Sequence, residues 1–97
     1  MLEQVLEILD QMKIKYDAIG GNHCDTFHAF VTLVDEEYSL ELVQHDDTVE
    51  VYAFQPKTIN YGNDYVEVTY FSREYKTVNG VVKRALILID ELNELME

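Results

Sequence analysis

Tryptophan is absent, cysteine and proline occur once each, and glycine appears at only four of the 97 positions. A lone cysteine excludes an internal disulfide and suits a reducing compartment, so a cytoplasmic setting is expected. No apolar run reaches the roughly 18 residues that a membrane-spanning helix needs. The opening stretch, MLEQVLEILD, carries acids where a secretion signal would carry bases. No repeat, low-complexity segment or linker interrupts the chain, and its length suits a single domain, 1–97, able to bury roughly 60% of its unfolded surface. A hydrophobic content of 47% is ordinary for a globular chain and removes the composition typical of disorder.

Positive charge is the most consequential shortage. Seven bases stand against nineteen acids, for a net charge of −12. From Tyr16 to Pro56 there is no Lys or Arg, yet nine acids occur: Asp17, Asp25, Asp35, Glu36, Glu37, Glu41, Asp46, Asp47 and Glu50. Such a field repels nucleic acid and anionic membranes and draws in basic partners.

Hydrophobic spacing defines the elements. Leu2, Val5, Leu6, Leu9 and Met12 recur at helical steps, which predicts a helix over 2–13 with Lys13 and Lys15 complementing its dipole. Residues 16–19 suit a short strand, and Gly20-Gly21 suits the turn after it. A two-residue period then takes over in 27–34, 38–44, 49–54 and 65–71, all rich in β-branched and aromatic side chains. The polar breaks 35–37 and 45–47 have hairpin length, whereas 55–64, with the only proline, reads as a longer connection. A second helix starts from a cap at Thr77 or Asn79 and runs to about Met96. Its ALILI segment (85–89) is apolar almost all round, which calls for deep burial or a subunit contact. The fold class expected is α+β: a four- or five-stranded antiparallel meander with both terminal helices packed on one face.

Strand parity separates two faces. One collects Phe27, Ala29, Val31, Leu33, Tyr38, Leu40, Leu42, Val49, Val51, Ala53, Val66, Val68 and Tyr70, and should meet the helices. The other collects carboxylates and aromatics together: Glu41, Glu50 and Glu67 with Tyr52, Phe54, Tyr65 and Phe71, alongside His28 and Phe30. An open antiparallel face is ordinarily polar, and aromatic side chains there serve either cross-strand pairing or the anchoring of a partner.

Catalytic chemistry has few candidates. His23, Cys24, Asp25 and His28 crowd one short stretch, but a structural zinc site takes four Cys or His ligands in paired clusters and only one cluster is present. A nucleophilic cysteine needs an electropositive setting, and Cys24 has Asp25 beside it. The stretch therefore reads as a turn. No phosphate-binding glycine loop follows a strand, and neither Glu50 nor Glu67 has the lysine two residues later that a common metal-nuclease pattern requires. No catalytic residue, metal ligand or cofactor is assigned, and a non-enzymatic role is expected.

In size, charge and layout the chain resembles the small acidic inhibitors encoded by phages and mobile elements, anti-CRISPR proteins and inhibitors of DNA-processing enzymes among them. That resemblance implies an inhibitor working in the host cytoplasm on a basic, nucleic-acid-binding protein such as a CRISPR effector nuclease. Carboxylates would stand in for phosphates and aromatics for bases. The partner-binding set it implies is Glu41, Glu50, Glu67, Tyr52, Phe54, Tyr65 and Phe71, extended by Asp35, Glu36, Glu37, Asp46 and Asp47 of the two turns. The chain is also similar to homodimeric secretion chaperones in its leading helix and following strands, and a toxin-immunity protein would share the inhibitor's physics. A small Cys/His or metal enzyme is the third class.

The charge alone makes one prediction. No direct binding to duplex DNA or RNA is expected at physiological salt, because −12 opposes the counterion release that drives it. A gel shift with duplex and unstructured probes checks this, and micromolar binding to any probe would overturn the acidic-mimic reading.

Overall fold

The computed structural model describes residues 1–20, 27–34, 37–59, 61–62 and 64–95. The element order is α1 (Leu2–Gln11), β1 (Tyr16–Ile19), β2 (Phe27–Val31), β3 (Ser39–Gln44), β4 (Val49–Ile59), β5 (Asp64–Tyr75) and α2 (Val78–Leu95). The five strands form one antiparallel sheet in sequence order, an uncrossed meander. Both helices cover the same face and also pack on each other. Among the described residues no helix is long and apolar enough to cross a membrane.

Helix α1 buries the stripe Leu2, Val5, Leu6 and Leu9 that its spacing foretells. Gln44 at the end of β3 fixes its start: the side-chain Oε1 accepts the Leu2 backbone N–H at 2.7 Å, and Nε2 donates to the carbonyls of His45 and Thr48. One glutamine thereby ties the helix N-terminus to the β3–β4 turn. At the other end Lys13 lies beyond the helix, in the left-handed region at φ 62°. Its N–H donates to the Asp10 carbonyl and the N–H of Ile14 to that of Leu9, the paired bonds of a Schellman cap. Lys13 thus closes the helix geometrically, where the sequence suggested a charge inside its last turn.

Helix α2 is capped by Thr77, whose Oγ1 accepts the Gly80 N–H at 3.0 Å, so Asn79 falls inside the first turn. Gly80 suits this place because a Cβ would lie 3.2 Å from the Tyr75 ring and 3.0 Å from the Thr77 hydroxyl. Val81, Ala85, Leu88 and Leu92 face the sheet and are fully or almost fully buried. They meet α1 and the inner residues Ala29, Val31, Leu40, Leu42, Val49, Val51 and Ala53 in one core. The rest of the ALILI segment is less enclosed, with Ile87 37% exposed.

The β4–β5 hairpin departs from the sequence expectation in two ways. First, 55–59 continue β4 through Pro56, and β5 starts at Asp64, so the expected connection of 55–64 shortens to residues 60–63. Second, the register slips between Ala53, opposite Phe71, and Phe54, opposite Thr69. Tyr70 is the extra residue of a β-bulge, and alternation restarts on either side of it. Phe71 therefore lies with Ala53 on the helix side, where the Arg84 guanidinium sits 4.8 Å from its ring centroid. Its assignment to the open face is corrected.

Replacing Lys13 by glycine should raise the unfolding free energy by about 1 kcal/mol, since a left-handed backbone strains an L side chain and not glycine. Chemical denaturation of the two chains side by side measures this, and an unchanged or lower midpoint would contradict the cap assignment.

Candidate functional site

The open face is built from cross-strand rows. Strand pairing aligns Asp17, Phe30, Glu41, Tyr52 and Ser72 in a row across all five strands. A second row aligns Ile19, His28, Val43, Glu50 and Glu74. Ser39, Phe54 and Thr69 make a third, and beyond the bulge Pro56 pairs with Glu67 and Thr58 with Tyr65. None of these positions is Lys or Arg. Carboxylates from β1, β3, β4 and β5 thus share one surface, and none of these paired strand positions is cationic.

Neighbouring donors hold these carboxylates in place. His28 Nδ1 lies 2.6 Å from Glu41 Oε2. Glu50 Oε2 accepts the Ser72 hydroxyl at 2.9 Å, and its Oε1 lies 3.0 Å from His45 Nε2. Glu67 accepts the Tyr52 hydroxyl on Oε1 at 3.1 Å and the Tyr65 hydroxyl on Oε2 at 3.3 Å. Partial desolvation raises the Tyr65 phenol above its usual pKa, and the adjacent Glu67 carboxylate adds to this, so the donor stays protonated around neutral pH. The like-charged pair Glu50 and Glu74, directly opposite, has His45 Nε2 near both, at 3.0 and 3.7 Å. Thr48 donates its hydroxyl to Glu74 at 3.3 Å. Each carboxylate oxygen keeps lone-pair capacity for an incoming donor.

The aromatic members divide. Tyr65 is 60% exposed, and Tyr52 and Phe30 are half-buried. Phe54, expected as an exposed anchor, is only 4% exposed; Tyr52 stacks on it with ring centroids 4.8 Å apart. It backs the Tyr52 ring by this stacking. Phe71 belongs to the helix face, as described above.

The acidic turns lie at opposite ends of the sheet. Asp46 and Asp47 are exposed in the β3–β4 turn, which the His45 N–H to Thr48 carbonyl bond closes at 2.8 Å. Glu37, before β3, is exposed and accepts a hydrogen bond from Gln55 at 3.1 Å. Asp35 and Glu36 lie outside the described residues, as do His23, Cys24 and Asp25 of the crowded stretch. His28 is described, and its partner is Glu41, on the open face.

Parity reasoning missed Glu74 and Ser72, because it ended the last strand at Phe71 and could not count the bulge. Asp17 was missed because β1 is too short to show a period. Among the described residues no group of three or more His, Cys, Asp and Glu side chains is arranged to hold a metal ion. The arrangement presents fixed hydrogen-bond acceptors and flat aromatic surface, which is chemistry for binding. Compared with protein-family models, with curated proteins and with solved structures, the chain matches none of them.

Proposed function

We propose that this protein is a non-catalytic acidic binder that inhibits a basic nucleic-acid-handling protein by occupying its nucleic-acid groove with the open sheet face. A CRISPR effector nuclease is the kind of target this chemistry suits. The observation that carries the reading is the row geometry. Glu41, Glu50 and Glu67 come from three strands, share one face with Tyr52 and Tyr65, and are each held by a neighbouring donor. Rows along a strand repeat every two residues, about 6.6 Å, which is close to the spacing of phosphates along a nucleic-acid strand. Lysines and arginines that normally grip a backbone would meet ordered carboxylates, and stacking surfaces for bases would meet Tyr52 and Tyr65. Steering by the −12 field would speed the encounter.

The test separates rate from residence. The partner is captured from host lysate and its binding followed by surface plasmon resonance. Changing Glu41, Glu50 and Glu67 to lysine should lower the on-rate and flatten its salt dependence. Tyr52→Ala should instead raise the off-rate, with a loss of ~1–4 kcal/mol if it is a hot spot. Phe54→Ala acts differently: as a buried ring it should lower fold stability by roughly 3–5 kcal/mol. Circular dichroism establishes which variants stay folded. If the folded charge-reversal and Tyr52→Ala chains bind and inhibit like wild type, the open face is not the binding surface.

A further inference from the structure

The sheet ends in an uncovered strand. β5 pairs only with β4, runs for 12 residues, and its distal half projects past the helix layer. There Val66, Val68 and Tyr70 point to the helix side, yet they remain 38, 47 and 45% exposed. A long edge strand with an apolar flank is the feature that soluble proteins usually shorten, charge or cover. The neighbouring helix repeats the pattern. Arg84 and Glu91 of α2 both reach β5, Arg84 donating from Nε to the Tyr75 hydroxyl and Glu91 accepting from Tyr70. Ile87 follows Arg84 by three positions and precedes Glu91 by four, so the 100° helical step puts it on the same flank, where it is 37% exposed.

We propose that a second copy of this chain covers this edge, β5 pairing antiparallel with its own copy about a two-fold axis near Tyr70–Phe71. Three observations converge on that occupant. The first is spacing. Helix α2 packs on both β4 and β5, more extensively on β4, so it lies at least half a strand spacing inside β5. Adding β5 of the second copy puts the two α2 helices at least two strand spacings apart, about 10 Å or slightly more, within reach of the ordinary distance of packed helices. The second is charge. Antiparallel α2 helices that meet at Ile87 set Arg84 of each against Glu91 of the other. The strands add no charge pairing of their own, because this register sets Glu67 of each copy opposite Glu74 of the other on the open face. The third is apolar continuity: Val66 and Val68 of one copy come beside Tyr75 and Arg73 of the other, under its helix. A two-fold contact is self-complementary, and this surface has that property through charge in the helix layer and through its apolar flank in the strand layer. The product is a ten-stranded sheet with four helices on one side and both acidic faces on the other. This inference does not depend on the proposed target.

Sedimentation equilibrium of the wild-type chain at physiological salt, where repulsion between two −12 chains is screened, should give twice the 11.3 kDa chain mass. The Val68→Lys, Ile87→Glu double variant should sediment as a monomer with unchanged circular dichroism. A chain carrying Cys24→Ser and Ile87→Cys should yield a covalent dimer with a short bifunctional thiol reagent, and one carrying Cys24→Ser and Thr58→Cys should not. A wild type that stays monomeric up to high micromolar concentration would overturn the proposal. So would a double variant that remains dimeric, or cross-linking through position 58 and not 87.

Discussion

Opposite Ala53 and Phe54, strand β5 carries one residue more than β4, and that single bulge decides which side chains reach either face of the sheet. Tyr70 and Phe71 both turn toward the helices. Phe71 then lies under Arg84, and Tyr70 reaches Glu91. On the other face, Ser72 and Glu74 come into line with Tyr52 and Glu50. Without the extra residue, Arg73 would join the open face and place a guanidinium among the glutamates. The bulge keeps Arg73 off that face and turns it to the helix side, where it rests over the Tyr75 ring.

The way the carboxylates are held matters as much as their number. A glutamate neutralised by lysine contributes little to an external field; one bonded to a hydroxyl keeps more of it. Tyr52, Tyr65, Ser72 and Thr48 supply neutral donors, and His28 and His45 add ring nitrogens. Four of the seven basic residues, Arg73, Lys76, Lys83 and Arg84, fall between the end of β5 and the first turns of α2, where Arg73 and Arg84 both reach Tyr75. The paired rows of the open face therefore hold carboxylates without Lys or Arg among them, which makes a distinct acidic surface out of a merely acidic composition. Exposed ion pairs would contribute little stability in exchange for the lost field.

Much of this architecture was legible in the sequence, because one buried face forces periodicity. The two helices, an antiparallel meander of four or five strands and the inner set from Ala29 to Ala53 follow from that rule. Periodicity fails where burial on one face stops. Beyond Ala53 the hairpin leaves the helix layer, so residues 55–59 have no core to enforce alternation, and Pro56 reads as a break. The bulge has no composition signal here, since Tyr70 is not glycine, and so Phe71 was placed on the wrong face. Phe54 illustrates a different limit. Its parity was right, yet parity says nothing about whether a neighbour such as Tyr52 covers the ring. Lys13 likewise reads as a dipole charge, because a left-handed cap built on lysine cannot be told from sequence.

The projecting hairpin also explains why stability and recognition separate within so small a domain. The core uses the proximal halves of β4 and β5 together with β2 and β3, and it closes against both helices there. The distal halves add almost nothing to it: from Asp64 to Tyr70 every described side chain is exposed. An extension that buries little cannot be maintained for folding's sake, since ordering each backbone residue costs about 1–2 kcal/mol. Cross-strand pairing of Thr58 with Tyr65 and Pro56 with Glu67 returns only part of that cost. The hairpin arm offers Tyr65 and Glu67 on one side and Val66 and Val68 on the other, which are contacts suited to molecules outside the fold. Its ordering is repaid most fully when both sides are occupied at once.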